Sequence, residues 1–384
     1  MRNCLLTLDV GTSTIKAMIW EKSGRCVFAA KQGSPPLIFA GDAVEQNIQQ
    51  FDLAIKILLS EIKQSSYFNK LACMAITTQR NTLIGMQDNQ CLTPLISWLD
   101  NRGKTINGTR VDWLCDVFPA FSNINRIRSL MSWLIEKLTG IANETASTMP
   151  QEWHQSQREE IKLLDYPGIV PLGNILTTNP IDHALKTLLP IGLPIILGAG
   201  DKDCSLLGGQ AYLPEQGVLC CGTAISLGKL IPNKPMSRSA DIYLSPSEFG
   251  SYYPIETGIA DKRILTDATN EVVIYAFMRC KKILTSQGID IKRLILSGND
   301  EFIPLQANEL AHALLCDIAL IQNNELTSSG LAAIAMKAMG EVETLHAAAD
   351  MFHPKEVTLF KYNVQTAKKW QKDYKRFCEN FISS

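Results

Sequence analysis

The sequence lacks the features that mark membrane proteins, nucleic-acid-binding proteins and histidine-ligated metal sites. Lysines and arginines number 37 against 38 aspartates and glutamates, so no excess positive charge is available for a phosphate backbone or an anionic membrane surface. No apolar run has the length of a spanning helix, and the N-terminus lacks the pattern of a signal peptide. The five histidines show no metal-ligand spacing. We therefore expect neither a nucleic-acid partner nor a membrane partner.

The sequence also lacks the cysteine pattern of a disulfide framework. Its 11 cysteines are an odd number, are scattered along the chain and include no C-x-x-C pair. This usage is typical of buried, reduced thiols in a cytoplasmic protein. The prediction is therefore a cytoplasmic chain without structural disulfides.

Length and pattern predict several packed elements. The 384 residues are 46% hydrophobic and 20% charged, which is enough for two or three domains with their own cores. Strands with tight turns are predicted over 4–30, and residues 48–62 have helical spacing of apolar side chains. The polar, weakly periodic stretch 143–162 is expected to be mobile or irregular. Further strands and helices follow it, and the last helix is predicted over 364–381.

A buried strand that ends in an aspartate is followed by a turn rich in glycine and hydroxyl groups. In LTLDVGTSTIKA (6–17), Asp9 precedes Gly11, Thr12 and Ser13, and Lys16 follows. Glycine lets the backbone approach a phosphate, lysine adds a charge, and a strand-end aspartate can hold magnesium. The pattern matches neither G-x-x-x-x-G-K-[ST] nor G-x-G-x-x-G. It predicts a phosphate-binding hairpin or, equally, an ordinary turn, because Asp and Gly are common turn residues.

The same order of strand, Gly-Thr turn and strand occurs again in the second half. Gly222 and Thr223 lie between predicted strands at 217–221 and 225–230, and Asp201 precedes them in the turn after another strand. This repeat favours two phosphate-binding hairpins over two unrelated turns.

Six stretches together resemble the FGGY family of carbohydrate kinases, which includes glycerol kinase, xylulokinase and gluconokinase. They occur in the family's order and cover most of the chain: LTLDVGTSTIKAMIW (6–20), AVEQN (43–47), AITTQRNTLIGMQDNQCLTPLISWLDNR (75–102), LPIILGAGDKDCSLLGGQ (193–210), GVLCCGTAISL (217–227) and RLILSGNDEFIPLQANELAHALLCDIAL (293–320). The resemblance implies an α/β fold of two actin/hexokinase/ribonuclease H-like lobes with a cleft between them. The expected lobes are 1–212, on the sugar and phosphate side, and 213–384, a shortened nucleotide side.

The resemblance also implies an activity, phosphorylation of a small sugar or polyol with ATP and Mg²⁺. Asp201 matches the family's general base, which is physically sensible because a carboxylate must take the proton of the acceptor hydroxyl. Asp203 is the neighbouring alternative, and an ordinary turn aspartate is the other reading of Asp201. The remaining matches are Asp9 for the metal, Gly11, Thr12, Ser13, Lys16, Gly222 and Thr223 for phosphate, Gln79, Arg80, Asp100 and Asp201 for the substrate, and Gly298 and Asn299 for the nucleotide.

Three departures from the family leave a second functional class open. The family's Gly-Gly-Gly motif on the adenine side is here Leu296-Ser-Gly-Asn-Asp-Glu301, and the second lobe lacks a familiar stretch between 227 and 268. Residues 143–153 match only loosely the Thr-Asp-x-Ser-Asn-Ala region that helps close the sugar pocket. The alternative is a catalytically weak or inactive relative that binds sugar or nucleotide as a sensor or partner-binding module. An actin-like scaffold is a third class, but Gln79, Arg80 and Asp201 argue against it.

The sequence does not identify the substrate. Thr78-Gln79-Arg80 resembles the glycerol kinase form of its motif, whereas Asn81 stands where glycerol kinases carry a glutamate. Homodimerisation is left open.

Overall fold

The computed structural model describes residues 2–221, 225–232, 243–244, 249, 252–259, 270–298, 303–321, 325–354 and 357–382. The chain divides into two compact units. Unit 1 contains residues 1–204 and 331–344, and unit 2 contains residues 205–330 and 345–384. The lobe boundary expected at residue 212 stays a prediction.

Unit 1 is built on a six-stranded sheet with the strand order β13-β14-β6-β1-β2-β3. β14, β6 and β1 run parallel to one another, and β2, β3 and β13 are antiparallel to their neighbours. Smaller sheets have the orders β10-β7-β8, β11-β12 and β4-β5-β9. The strands are β1 (Cys4–Val10), β2 (Thr14–Glu21), β3 (Cys26–Gly33), β4 (Ile38–Ala40), β5 (Ala43–Gln46), β6 (Leu71–Thr78), β7 (Ile84–Gln87), β8 (Gln90–Cys91), β9 (Leu95–Ile96), β10 (Arg126–Arg128), β11 (Asn143–Thr145), β12 (Gly168–Val170), β13 (Ile175–Thr177) and β14 (Pro194–Leu197).

The helices of unit 1 are α1 (Ile48–Gln64), α2 (Arg102–Thr105), α3 (Arg110–Val117), α4 (Leu130–Thr139), α5 (Glu159–Lys162), α6 (His183–Leu188) and α7 (Asp201–Gly208), with 3₁₀ turns at Phe68–Lys70, Phe121–Asn123 and Gln151–His154. Helices α1 and α4 pack against the six-stranded sheet, whereas α2, α3 and α5 pack with one another beside a separate hydrophobic cluster. The side chain of Asn47 caps α1, and α4 begins with a capping box between Ser129 and Ser132. Gly140, with φ 77°, ends α4 in the left-handed conformation that glycine tolerates.

Unit 2 repeats the same scheme around a seven-stranded sheet. Its order is β17-β18-β16-β15-β19-β20-β21, with β15, β19 and β20 parallel to one another. The strands are β15 (Gln216–Cys221), β16 (Ile225–Pro232), β17 (Tyr243–Leu244), β18 (Tyr252–Ile259), β19 (Arg293–Gly298), β20 (Asp317–Ile321) and β21 (Val357–Phe360). The helices are α8 (Asn270–Ser286), α9 (Ile303–Leu314), α10 (Leu326–Ala338), which continues into unit 1 from residue 331, α11 (Leu345–Phe352) and α12 (Val364–Ile382). The run β18-β16-β15-β19-β20 corresponds to β3-β2-β1-β6-β14 of unit 1.

Each unit has its own hydrophobic core. All seven residues of β1 are buried, as expected for a central strand covered on both faces. The core of unit 1 contains Phe51, Ile55 and Leu58 of α1 packed with β1 and β6, and that of unit 2 contains Phe277, Leu294 and Leu310. The cysteines that the structure describes are all free thiols, which agrees with the predicted absence of a disulfide framework.

One expectation about local structure is wrong. The stretch 143–162 contains β11, a 3₁₀ turn and α5, and Glu144, Thr145, Ser147 and Thr148 are buried. The stretch shows no hydrophobic period because its buried residues are polar. They can be buried because they hydrogen-bond to one another and to backbone groups inside the unit.

Candidate active site

Several of the predicted site residues lie at the carboxyl ends of three adjacent parallel strands, β1, β6 and β14. Val10 pairs with Thr78 at the end of β1 and β6, and Leu197 pairs with Ile76. Beyond the strands, the Gln79 N–H donates to the Val10 carbonyl at 2.9 Å and the Gly198 N–H to the Ile76 carbonyl at 2.8 Å. Asp9 near the end of β1, Gln79-Arg80 directly after β6 and Asp201 shortly after β14 are therefore at strand ends on one edge of one sheet. Ligands bind outside this edge in α/β sheets.

Asp9 lies between Lys16 and Thr77 on the two neighbouring strands. It is directly opposite Lys16 on β2 and beside Thr77 on β6, and it is 7% exposed. Directly opposite residues in an antiparallel pair project from the same face of the sheet. The turn after β1 is closed by the Gly11 N–H, which donates to the Thr14 carbonyl at 3.1 Å. The structure thus brings together the predicted metal carboxylate and the predicted phosphate cation.

Thr12 joins the first turn to the substrate motif through its side chain. Its Oγ1 donates to Gln79 Oε1 at 2.9 Å and accepts from Trp98 Nε1 at 3.1 Å. Gln46 Nε2 donates to the Thr12 carbonyl at 2.9 Å, and Gln79 Nε2 donates to Gln46 Oε1 at 2.9 Å. The Thr12 hydroxyl and the Gln79 amide therefore hold each other in place before any ligand is considered. What remains at Thr12 for a phosphate is its backbone N–H.

Arg80 lies across Gly200 and forms an ion pair with Asp203. Arg80 Nη1 is 3.2 Å from Asp203 Oδ1, and the Asp203 side chain is 1% exposed. A Cβ at position 200 would stand 2.3 Å from Cγ and Cδ of Arg80, so glycine is required for the arginine to occupy this place. The ion pair fixes the guanidinium of Arg80 at the edge where Asp201 begins α7.

The two aspartates of the first turn of α7 have different environments. Asp203 is buried with its charge paired to Arg80, whereas Asp201 is partly exposed and its Oδ1 accepts from the Lys202 N–H at 2.8 Å. Cys204 follows them, and burial raises the pKa of its thiol well above its usual value. The accessible carboxylate of this turn is therefore that of Asp201, and the neutral thiol adds no competing charge.

Asp100 is engaged by protein groups on both of its oxygens. Its Oδ2 accepts from the Val44 N–H at 2.9 Å and from Arg102 Nε at 2.9 Å, and its Oδ1 accepts from the Arg102 N–H at 3.0 Å. Arg102 also pairs with Glu45 at 2.7 Å and lies over the Trp113 ring, 4.2 Å from its centroid. These contacts join the Trp98-Leu-Asp100 stretch to β5, so the substrate role predicted for Asp100 would act through a carboxylate that is already held.

Some predicted residues cannot be placed with this group. Gly222, Thr223 and Asn299 lie outside the described residues, and Gly298 ends β19 in unit 2. Among the described ranges there is no group of three or more His, Cys, Asp and Glu residues able to hold a metal ion. Asp9 would therefore supply a single carboxylate, which is the usual protein share of a magnesium site completed by substrate phosphates.

Sequence reasoning missed three side chains that organise the site. Gln46 and Trp98 bond directly to Thr12 or Gln79, and Ser147 Oγ accepts from the Gly200 N–H at 2.5 Å. Gln46 and Trp98 lie inside stretches that matched the family, so the matching blocks carried a signal for them. Ser147 lies in the segment expected to be mobile or irregular, where no periodicity pointed to it.

A buried carboxylate lies three positions before Ser147 in the same segment. Glu144 is fully buried and accepts hydrogen bonds from the hydroxyls of Ser129 and Thr148 and from the Thr145 N–H. Burial raises the pKa of Glu144 from its usual 4.5 to about 7, because the desolvation of the charged form outweighs these bonds.

Comparison with protein families and curated sequences yields carbohydrate kinases. Residues 4–110 match the family model described as the FGGY family of carbohydrate kinases, N-terminal domain. The glycerol kinase of Ectopseudomonas mendocina is 24% identical over 280 residues, 62% of this chain and 56% of that protein. The glycerol kinase of Aquifex aeolicus is 22% identical over 274 residues, 60% of this chain and 55% of that protein. The alignments thus span about half the length of these curated relatives.

Comparison with solved structures gives the fold. Gluconate kinase from Lactobacillus acidophilus superposes with a TM-score of 0.82 at 16% identity, covering 99% of this chain and 98% of that chain. Glycerol kinase from Plasmodium falciparum, solved with ADP, gives 0.77 at 14% identity over 99% and 98%. The predicted α/β fold of the actin/hexokinase type is confirmed.

In the described part of the chain, no helix combines the length and apolarity needed to cross a membrane.

Proposed function

Because residues 4–110 match the N-terminal domain of the FGGY family of carbohydrate kinases, we propose that the chain is a member of this family and transfers the γ-phosphoryl group of ATP to a hydroxyl of a small sugar or polyol. The proposal covers the substrate class, the use of Mg²⁺ and the role of Asp201 as general base. The ATP and the sugar or polyol would be its small-molecule partners.

One observation carries the proposal: Asp9, Arg80 and Asp201 lie at or just beyond the carboxyl ends of three adjacent parallel strands that end at one sheet edge. A metal-binding carboxylate, a cationic substrate contact and a base are the groups that phosphoryl transfer requires near one another. The pairing of Asp9 with Lys16 adds a cation on the phosphate side. A plain scaffold would have no physical need for three charged groups at this edge.

The phosphate side would use Asp9, Lys16 and the backbone of the first turn. The carboxylate of Asp9 is the donor type that magnesium prefers, and its place at the end of a buried strand fits an ion shared with phosphates. Bound there, the ion would offset charge on the transferring group. Thr12 and Ser13 would present N–H groups to phosphate oxygens from the turn that the Gly11 N–H closes. Gly222-Thr223 and Gly298-Asn299 would serve the rest of the nucleotide.

The acceptor side would use Arg80 and Asp201. The guanidinium of Arg80, held by Asp203, would donate to substrate hydroxyls, and Gln79 and Asp100 would support this contact. Asp201 would accept the proton of the attacking hydroxyl as its oxygen bonds to phosphorus and the bond from phosphorus to the ADP oxygen breaks. Asp203 is the weaker candidate for the base because its charge is buried and committed to Arg80.

The experiment is a panel of sugars and polyols assayed for ADP release with wild type, Asp201→Asn and Asp182→Asn. Asp201→Asn is expected to lower kcat by about a hundredfold to ten-thousandfold on the best substrate, because the base is lost. Asp182 caps α6 and pairs with Lys56, and neither contact involves a predicted site residue, so Asp182→Asn should leave kcat near the wild-type value. Full turnover by Asp201→Asn would remove Asp201 from the role of base.

A thermal shift with Mg²⁺ and ATP separates this function from the alternative of an inactive relative. We expect millimolar Mg-ATP to raise the melting temperature of the wild type, because a ligand that binds the folded state stabilises it. No shift would contradict the kinase proposal. A shift without turnover on any panel member would favour the sensor or partner-binding alternative.

A further inference from the structure

Residues 144–148, Glu-Thr-Ala-Ser-Thr, hydrogen-bond to both loops that carry the proposed acceptor-side residues. We call them the ETAST segment. The Ser147 hydroxyl accepts from the Gly200 N–H at 2.5 Å, and Thr145 Oγ1 donates to the Gly198 carbonyl at 3.1 Å. On the other side, the Thr148 carbonyl accepts from the Asn81 N–H at 3.3 Å. One segment thus holds the backbone just before Asp201 and just after Arg80.

The ETAST segment is itself firmly held. Glu144, Thr145, Ser147 and Thr148 are each at most 2% exposed. The Glu144 carboxylate accepts from Thr148 and from Ser129, the residue that caps α4. The next residue of that helix, Leu130, donates its N–H to Thr82 Oγ1 at 2.9 Å. A buried network therefore connects the segment to a helix terminus and to the loop after β6.

The loop from Gly198 to Gly200 depends on such support. It contains two glycines, which restrict the backbone least, and it leads directly into Asp201. The Gly198 carbonyl is held by Thr145, and the Ala199 carbonyl accepts from Thr77 Oγ1 at 2.6 Å. The peptide that immediately precedes Asp201 is held by Ser147. Among these bonds, the Ser147 bond is the one nearest to the proposed base.

We propose that Ser147 is a positioning residue for Asp201, fixing the Gly200 peptide so that the carboxylate is aimed at the acceptor hydroxyl, with the ETAST segment as its rigid support. The inference rests on the proposed function and extends it. Ser147 acts through Gly200 and does not contact the reacting atoms. A displacement of about 1 Å at a catalytic group costs on the order of a hundredfold in rate. Loss of this one bond should therefore affect the chemical step more than substrate binding.

The test compares Ser147→Ala with a matched deletion elsewhere in unit 1. Thr93 Oγ1 accepts from the Gly85 N–H at 2.9 Å, and Thr93 is buried like Ser147. Thr93→Val thus removes a buried hydroxyl from a glycine N–H on β7, away from the three strand ends. We expect Ser147→Ala to lower kcat by about tenfold to a hundredfold with KM changed less than about threefold. Thr93→Val should leave both constants near wild type.

Amide hydrogen exchange provides a readout that does not need turnover. Peptides that span 198–203 should exchange faster in Ser147→Ala than in wild type or Thr93→Val, because the Gly200 N–H loses its acceptor. If Ser147→Ala does not fold, Thr145→Val removes the bond to the Gly198 carbonyl in an isosteric way. It should lower kcat by a smaller factor, about threefold to tenfold, and raise exchange in the same peptides.

The outcomes are distinct. Equal kcat in Ser147→Ala and Thr93→Val, with or without faster exchange at 198–203, would overturn the positioning role and leave the proposed function intact. A fall in both kcat and protection only in Ser147→Ala would support it. A wild type inactive on every panel substrate would overturn the proposed function, and the positioning role with it.

Discussion

The sheets of the two units share a strand order but carry different residues at the ends of their first strands. In unit 1, Asp9 on β1 pairs with Lys16 on β2 and with Thr77 on β6. In unit 2 the residue two positions before the Gly-Thr pair is Cys220, which pairs with Ser226 on β16 and with Ser297 on β19. The backbone frame is repeated, whereas the Asp-Lys pair is replaced by a thiol and a hydroxyl.

The repeated topology thus determines where the strand ends lie, whereas individual residues determine their chemistry. A turn between two antiparallel strands offers backbone N–H groups whatever the side chains are. A magnesium ion additionally needs a carboxylate, and β1 supplies one where β15 does not. The comparison therefore assigns the metal side of the proposed reaction to unit 1.

Substitutions at the corresponding residues of β1 and β15 should have very unequal effects on turnover. Asp9→Asn keeps the size of the side chain but removes the charge, so kcat for ADP release should fall by at least about a hundredfold. Cys220→Ser, at the corresponding position, should change kcat less than about threefold. Similar losses of kcat in both variants would show that the two strand ends contribute equally and would contradict the assignment of the metal side to unit 1.

Glu144 makes the stability of unit 1 sensitive to pH. Its pKa in the folded state is raised to about 7 from 4.5, so between these values the folded state binds more protons than the unfolded state. Stability contributed by this group is therefore lost as pH rises from 4.5 to 7, by about 3 kcal/mol in total. Urea unfolding of wild type and Glu144→Gln at pH 4.5, 6 and 8 should show the variant gaining relative stability with pH. A constant difference would contradict the prediction.

Two glycines test how tightly each unit is packed beside its central strands. A Cβ on Gly198 would lie 2.4 Å from Leu331 Cδ1 and 2.6 Å from the Ile76 carbonyl, whereas on Gly217 the nearest atom is the Gly228 carbonyl at 3.0 Å. Gly198→Ala should cost about 2 to 3 kcal/mol of unfolding free energy and Gly217→Ala about 1 kcal/mol. Denaturant unfolding measures both, and the reverse order would show that unit 2 is the less adaptable of the two.

Lys229 gives unit 2 a pH dependence of opposite sign. Burial lowers the pKa of this lysine from 10.5 to about 8, although its Nζ donates to the carbonyls of Leu213 and Gln216 at 2.7 Å each. Between pH 8 and 10.5 the unfolded state binds more protons, so the free energy of unfolding should rise with pH over this range. The unfolding free energy of wild type should therefore rise relative to that of Lys229→Met over this range. An unchanged difference would mean that the carbonyls fully compensate for burial.

The sequence was informative where one pattern dominated. Strand β1, its glycine turn and helix α1 were predictable because continuous burial and helical spacing leave clear periods in the sequence. The grouping of Asp9, Arg80 and Asp201 agrees with their predicted positions at strand ends. The roles assigned to these residues remain predictions, as do those of Gly222, Thr223 and Asn299.

The rest could not be predicted because it depends on contacts between distant residues. The ETAST segment is polar, and polarity alone suggests an exposed loop. Its burial becomes favourable only through partners such as Gly198 and Gly200, more than 50 positions away. Likewise, nothing local distinguishes Asp201 from Asp203. The distinction comes from Arg80, which lies on another strand end.

The division of the chain into units has a consequence for its synthesis on the ribosome. Unit 2 takes residues 205–330 out of the middle of unit 1, which resumes only at 331–344. This returning stretch places Leu331 against Gly198 and bonds Glu341 to Lys22 at 2.7 Å. Protein domains fold in the order in which they emerge. Here the first 204 residues must wait for another 140 before the stretch that packs against Gly198 is complete, so unit 1 cannot be completed until residues 205–330 of unit 2 have been synthesised.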